Sequence, residues 1–335
     1  NDVFLKIDCE RHVAKELSEY FTFFVPGYQF TPAYRNRTWD GRIRLFNTQN
    51  NTIYYGLIHY IEVFCEERDY TKEYVDPRPD LTEEYSEYLA DKFISELNVH
   101  SRSQPIEVRD YQKTAYIHAI RNKRTLLLSP TASGKSLIIY MLIRQFLTYK
   151  NCKKGLIVVP TTSLVEQLYN DFKDYSSHDD SFTVDDNIHR VYQGREKDSK
   201  LPIIVSTWQS IYNQPKSFFE KFDFVIGDEA HLFKAQSLTK IMVQCTNTKY
   251  RIGLTGTLDG TKTHRLVLEG LFGSVKKIIT TKELMDNKQV ADFNIKCLVL
   301  KYSDEICQLV KSKSYQEEIE FLSLIHISEP TRPER

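Results

Sequence analysis

Residues 124–149 run RTLLLSPTASGKSLIIYMLIRQFLTY, and the order of textures inside this stretch decides the fold. RTLLLS is a short apolar strand, a polar loop with one glycine follows, and SLIIYMLIRQFLTY is a helix. A strand that feeds a helix through such a loop leaves the first helical N–H groups unpaired and facing outward. Together with the positive end of the helix dipole, those donors suit phosphate oxygens. Within Ser129-Pro130-Thr131-Ala132-Ser133-Gly134-Lys135-Ser136, Lys135 is placed to reach β- and γ-phosphates, and the Ser136 hydroxyl to bind Mg²⁺. Ser129 stands where the G-x-x-x-x-G-K-[ST] pattern has its first glycine. The competing reading is a polar helix cap with no ligand.

Outward from this loop the same rhythm continues. DYQKTAYIHAIRN upstream is a helix, and GLIVVP, IIVST, FDFVIGD and YRIGLTG downstream are strands, with the helix SLVEQLYNDFKDY between the first two. Near-continuous apolar strands alternating with helices predict an α/β domain, a parallel sheet covered on both faces. The strand Phe224-Val225-Ile226 ends in Gly227-Asp228-Glu229-Ala230-His231. Acidic residues at a strand's C-terminal end face the ligand crevice of an open parallel sheet. Asp228 is therefore the expected metal holder, Glu229 the base that orients and deprotonates water, and His231 a link to a second site. The polar segment 176–200 is read as peripheral, with VYQG as a candidate short strand.

The first 60 residues have a different texture. VFLKID and RIRLFN look like strands, ERHVAKELSEYF like a short helix, and NTQNNTIYYG like a turn into another strand, so a small α+β unit is expected. In TWDGRIRL, Asp40-Gly41 reads as a turn between two strand segments. Alternation puts Arg42 and Arg44 on one face, with Ile43 and Leu45 on the other. Arg35 and Arg37 extend this patch, and Trp39 packs or stacks at its edge. A phosphate-holding surface and a plain solvated hairpin explain the same letters. Tyr20-Phe21-Thr22-Phe23-Phe24 is read as core.

Bulk composition adds limits. Lys plus Arg number 45 and Asp plus Glu 45, so any nucleic-acid footprint is a local patch. Residues 61–100 carry 12 acidic and 4 basic side chains. The six cysteines show no paired spacing, so neither disulfides nor a zinc site is expected. No run approaches a membrane span, and a cytoplasmic protein is expected. The expected domains are residues 1–98, 99–282 and 283–322, the last opened by the strand NIKCLVLKY at 294–302. SLIHISEPTRPER, residues 323–335, continues no pattern and resembles translated adapter sequence.

Taken in order, Arg109-Asp110-Tyr111-Gln112, SPTASGKS, VVPTTSLVEQ, STWQS, GDEAH and LTGT resemble the superfamily 2 helicases and translocases over residues 109–258. YRNRTWDGRIRLFN at 34–47, Ala132 in the phosphate loop and STWQSIYNQP are similar to the phage UvsW-type helicases, relatives of the XPB- and RecG-like branch. The resemblance implies a RecA-like ATP-binding domain behind a small DNA-binding domain. It implies ATP and Mg²⁺ as cofactors, and branched or forked DNA as partner, with RNA in a hybrid admitted and no obligate protein partner. It places adenine recognition on Gln112, lined by Arg109 and Tyr111, and nucleic-acid contact on Pro160, Thr161, Thr162, Gln167, Thr207, Trp208 and Gln209. Coupling of hydrolysis to strand movement falls to Thr255, Gly256 and Thr257, beside His231. Family members unwind or branch-migrate DNA in recombination, repair and replication. Nothing after residue 258 matches their second RecA-like domain, which supplies an arginine finger; Arg251 and Arg265 are the in-chain alternatives, with no support from their surroundings. A restriction-enzyme motor, and an ATP- and DNA-binding module without turnover, are the rival readings.

Overall fold

A computed structural model describes residues 3–75, 84–258, 262–291 and 303–326. The chain divides into two compact units, residues 1–290 and 291–335. The first opens with β1 (Phe4–Lys6), α1 (Arg11–Tyr20), β2 (Thr22–Phe24), α2 (Pro32–Arg35), β3 (Arg42–Arg44), β4 (Thr52–Tyr54) and α3 (Ile58–Glu67). α4 (Glu87–Leu97) and the small hairpin β5 (His100–Ser101) and β6 (Gln104–Pro105) follow. Then come α5 (Asp110–Asn122), β7 (Arg124–Leu128), α6 (Lys135–Tyr149), β8 (Gly155–Val159), α7 (Thr162–Tyr175), α8 (Val184–Asn187) and β9 (Ile188–Val191). β10 (Ile203–Thr207), α9 (Trp208–Ile211), α10 (Lys216–Phe219), β11 (Phe224–Asp228) and α11 (Gln236–Gln244) continue the alternation. β12 (Tyr250–Thr255), α12 (Lys262–Phe272), β13 (Val275–Lys277) and α13 (Thr281–Asp286) end it. In the second unit the described elements are α14 (Asp304–Val310) and α15 (Tyr315–His326).

Seven parallel strands form one sheet in the order β13-β7-β12-β11-β8-β10-β9. β8, β10, β11 and β12 are buried at every position, which is why their sequences are nearly unbroken apolar runs. α4, α5, α6 and α7 cover one face, with Phe93, Tyr116, Ile139 and Phe172 in that core. The other face takes α11, α12 and the N-terminal segment, so Leu17, Phe21 and Phe64 share a core with Leu126 and Phe272. The α/β architecture expected from the strand–helix rhythm, preceded by a small α+β region, is the one observed.

The N-terminal segment is seated directly on α12. A Cβ on Gly56 would overlap the Glu269 carbonyl oxygen and lie 2.8 Å from that of Gly270. One on Gly270 would come within 2.9 Å of the Tyr54 Cβ. Tyr60 OH donates to Glu269 Oε2 at 2.6 Å, and Glu269 is buried. Only paired glycines allow backbones this close.

Three local expectations change. The strand near residue 190 is Ile188–Val191 and not VYQG; it is the sheet's edge, where only its two end residues are buried. The segment before Asp40 is no strand, because Thr31 caps the short α2, whose first residue is Pro32, and β3 pairs with β2 instead. Of the aromatic run 20–24, Phe21 is buried but Phe24 is half exposed, because the strand alternates faces. The strand expected at 294–302 and residues 327–335 of the tail lie outside the described residues, while residues 323–326 finish α15.

Candidate nucleotide site and nucleic-acid surface

The loop between β7 and α6 needs two left-handed residues, Ala132 at φ 66° and Gly134 at φ 77°. Serine replaces the first glycine without loss of closure. Ser129 is fully buried, its N–H donates to the Thr255 carbonyl at 2.8 Å, and its hydroxyl donates to Ser133 Oγ at 2.7 Å. Ser133 Oγ in turn donates to the Pro130 carbonyl at 2.7 Å.

Gln112 and Tyr111 approach from α5 and brace this loop. Gln112 Nε2 donates to the Ser133 carbonyl at 2.9 Å, and Tyr111 OH donates to the same oxygen at 3.0 Å. Gln112 Oε1 accepts from the Arg109 N–H at 3.1 Å, and Arg109 Nη1 donates to Tyr111 OH at 2.8 Å. The Gln112 amide therefore has both ends engaged and is only 4 % exposed. Sequence reasoning assigned it adenine recognition and missed the brace. Its signal was present: a glutamine three residues after a helix cap closes a capping box.

The acidic strand end lies alongside. Lys135 Nζ is 3.4 Å from Glu229 Oε1, and Glu229 Oε2 is 3.3 Å from His231 Nδ1. His231 Nδ1 meets Thr255 Oγ1 at 2.9 Å, and that hydroxyl donates to the Thr257 carbonyl at 3.0 Å. With the threonine proton spent there, the His231 ring must donate to Thr255, which sets its tautomer. Glu229 holds a left-handed backbone at φ 48°, a strained conformation for a residue with a side chain. Gly256 lies beside Pro130, which a Cβ there would meet at 3.6 Å. Lys135, Glu229, His231, Thr255 and Gly256 thus form one connected cluster.

Asp228 is 6 % exposed, and its Oδ1 is buried without a hydrogen-bond partner. Burial pushes its carboxyl above the usual carboxylate range, against the pull of Lys135. A buried carboxylate oxygen left unpaired beside a phosphate loop fits a divalent cation. Ser136 is turned elsewhere: its Oγ shares a 2.9 Å hydrogen bond with Tyr175 OH, and Asp171 bonds it too.

Both arginines considered as a finger are engaged within the chain. Arg251 is 1 % exposed, and its guanidinium donates to the Met242 and Cys245 carbonyls. Arg265 pairs with Glu269 at 3.1 Å.

The residues expected to contact nucleic acid fall into two groups. Pro160, Thr161 and Thr162 follow β8, Thr207 ends β10 in register with Val159, and Trp208 and Gln209 open α9. Gln209 Nε2 donates to the Pro160 carbonyl at 3.4 Å, which joins the two segments, and Thr161 caps α7. Gln167 is exposed on α7. In the N-terminal segment, Arg35, Arg37, Tyr34 and Trp39 line a shallow cavity of about 570 Å³. Trp39 Nε1 donates to the Arg42 carbonyl at 3.0 Å, fixing the ring. Arg42 lies over the Phe24 ring at 4.6 Å, and Arg44 is engaged by Asp40.

Two family descriptions match in tandem: "DNA helicase UvsW, N-terminal" over residues 2–76 and "Type III restriction enzyme, res subunit" over residues 105–260. The ATP-dependent DNA helicase uvsW of Enterobacteria phage T4 is 37 % identical over 324 residues, covering 95 % of this chain and 63 % of its own length. The crystal structure of the UvsW helicase from bacteriophage T4 aligns with a TM-score of 0.73 at 36 % identity, covering 83 % of this chain and 97 % of that one. The chain belongs to the UvsW helicase family. A second UvsW structure from the same phage gives a TM-score of 0.75 at 34 % identity, covering 96 % of this chain and 63 % of that one. The DNA 3'-5' translocase XPB2 of Sulfurisphaera tokodaii is 28 % identical over 200 residues, covering 60 % of this chain and 42 % of its own length. The chain spans less than two thirds of the length of each of these curated relatives. The UvsW-type N-terminal match separates it from restriction-enzyme motors, which the second description alone would not do. Among the described residues no helix is long and apolar enough to cross a membrane, and the described cysteines are free thiols.

Proposed function

We propose that this chain is the ATP-binding part of a DNA-dependent motor of the UvsW kind, coupling ATP hydrolysis to unwinding or branch migration of branched DNA in recombination and repair. The observation that carries the reading is the cluster at the ends of β7, β11 and β12. A braced phosphate loop, an unpaired buried carboxylate and a Glu229–His231–Thr255 chain meet at the C-terminal ends of three neighbouring interior strands. Lys135 and the N–H groups of the loop would hold the phosphates, and Asp228 and Ser136 would hold Mg²⁺, which would supply charge neutralisation for the transferring phosphoryl group. To do so, Ser136 must release Tyr175. Glu229 orients the attacking water and accepts its proton once its contact with Lys135 is given up to the nucleotide. His231 passes the nucleotide's state to Thr255 and so to the segment 255–257. Arg109, Tyr111 and Gln112 border the adenine end, while Pro160 to Thr162, Gln167 and Thr207 to Gln209 track the nucleic-acid backbone. Arg35, Arg37 and Arg42 add a second contact, and Arg44 positions Asp40. With Arg251 and Arg265 both engaged, the finger that stabilises the transferring phosphoryl group is assigned to the second RecA-like domain that the family resemblance implies.

Steady-state ATP turnover by this chain, with and without four-way-junction DNA, beside Lys135→Ala, tests the reading. The expected result is ATP binding that Lys135→Ala abolishes, with turnover slow and little stimulated by DNA. Absence of ATP binding by the unsubstituted chain refutes it. Fast DNA-stimulated turnover refutes the claim that the finger lies elsewhere.

A further inference from the structure

A cavity of about 900 Å³ lies on the N-terminal segment, away from the residues around Trp39. The two cavities have no lining residue in common: one borders the β1–β4 pair, and the other is lined from α2 and the turn before β3. One wall is a single face of α1, where Arg11, Ala14, Lys15 and Ser18 recur at helical spacing over about 10 Å. Lys6 at the end of β1 and the amide-rich turn Thr48-Gln49-Asn50-Asn51 form the rest. Lys6, Arg11 and Lys15 are exposed and form no ion pair among the described residues. The other carboxylate of α1 nearby, Glu16, is taken up by Arg68 at 3.3 Å and by Tyr70 OH at 3.2 Å, which leaves Glu19 as the cavity's one acid. Asn50 Oδ1 accepts from the Thr52 hydroxyl at 2.6 Å, which orients its amide N–H groups away from that bond. Three cations against one acid, Glu19, spread over two elements and faced by amide donors, match an extended polyanion better than a single phosphate.

We propose that this surface holds the phosphate backbone of a second DNA arm, while the Arg35–Arg37–Trp39 surface holds the first. The inference rests on the DNA-motor reading above and sharpens it. A linear duplex carries both its backbones along one axis, whereas a branch point adds arms on further axes, so two separate cationic surfaces on one small segment favour branched DNA.

The test is fluorescence anisotropy of the full chain with a labelled four-way junction and a linear duplex of equal length, over a range of salt. Lys6→Gln/Arg11→Gln/Lys15→Gln should make the slope of log K against log salt on the junction shallower by about 2.7, at about 0.9 per phosphate contact. Its preference for junction over duplex should fall towards one. Arg35→Gln/Arg37→Gln should weaken binding to both substrates. If thermal melting shows the triple variant unfolded, Arg11→Gln/Lys15→Gln serves, with an expected change of about 1.8. An unchanged junction slope beside a weakened Arg35/Arg37 variant overturns the second surface and leaves the motor reading standing. No DNA binding by the unsubstituted chain overturns both.

Discussion

Gly134→Ala probes the brace on the phosphate loop, and its cost can be worked from the geometry. At φ 77° a side chain adds about 1–2 kcal/mol of backbone strain. The new Cβ would overlap Gln112 Nε2, so that amide must withdraw. Its 2.9 Å bond to the Ser133 carbonyl is then lost, and because Gln112 is buried the orphaned donor costs about 1–3 kcal/mol. The total is about 2–5 kcal/mol against the phosphate-ready loop. Even the lower figure reduces apparent nucleotide affinity about 30-fold. Titration with a fluorescent ATP analogue measures it, and circular dichroism checks that the sheet survives. The decisive comparison is the same substitution made in Gln112→Ala, where the overlap is gone and only strain remains, so the penalty should shrink by about 1–3 kcal/mol. An equal penalty in both backgrounds refutes the contact between Gln112 and Gly134.

Three further outcomes are expected. Gly56→Ala forces a Cβ into backbone carbonyls of α12 and should destabilise the chain by about 1–3 kcal/mol or more, read as a lower melting temperature; no change would refute that close approach. Burial, with help from Lys276 and Arg121, depresses His118 to about 4, below the ordinary histidine value near 6.5. The unfolded chain therefore takes up a proton first as pH falls from 6.5 to 4, and stability drops across that window. His118→Asn should flatten the decline by up to about 2 kcal/mol, allowing for its partial exposure, in urea melts at pH 7 and pH 4.5. Arg251→Ala strips two buried carbonyls of their donor and should cost more than about 2 kcal/mol of stability; a loss of turnover with unchanged stability would restore it as a finger candidate.

The parallel sheet was legible because burial on both faces imposes apolar runs such as Leu156-Ile157-Val158-Val159, and the phosphate loop because few chain geometries need Gly134-Lys135 between a strand and a helix. The edge strand was misplaced by a few residues because Ile188-His189-Arg190-Val191 is half exposed and lacks that signature. The short α2 was invisible for a related reason: four residues carry no period, and Thr31 with Pro32 is too slight a signal beside the stronger Asp40-Gly41 turn. At the site, residue types pointed to Lys135, Asp228 and Glu229, but contacts between distant segments did not show. The Tyr175 hydroxyl on Ser136 spans 39 residues, and no local pattern announces it.

The seat of the N-terminal segment on α12 has a mechanical meaning. A motor that hauls a strand does useful work only if the part gripping the other arm does not slide with the load. Backbones pressed together at Gly56 and Gly270 and pinned by Tyr60 on Glu269 leave little slack between grip and engine. On the motor reading proposed above, force generated at the nucleotide end of the sheet would reach the DNA as displacement and would not be absorbed as bending in a linker.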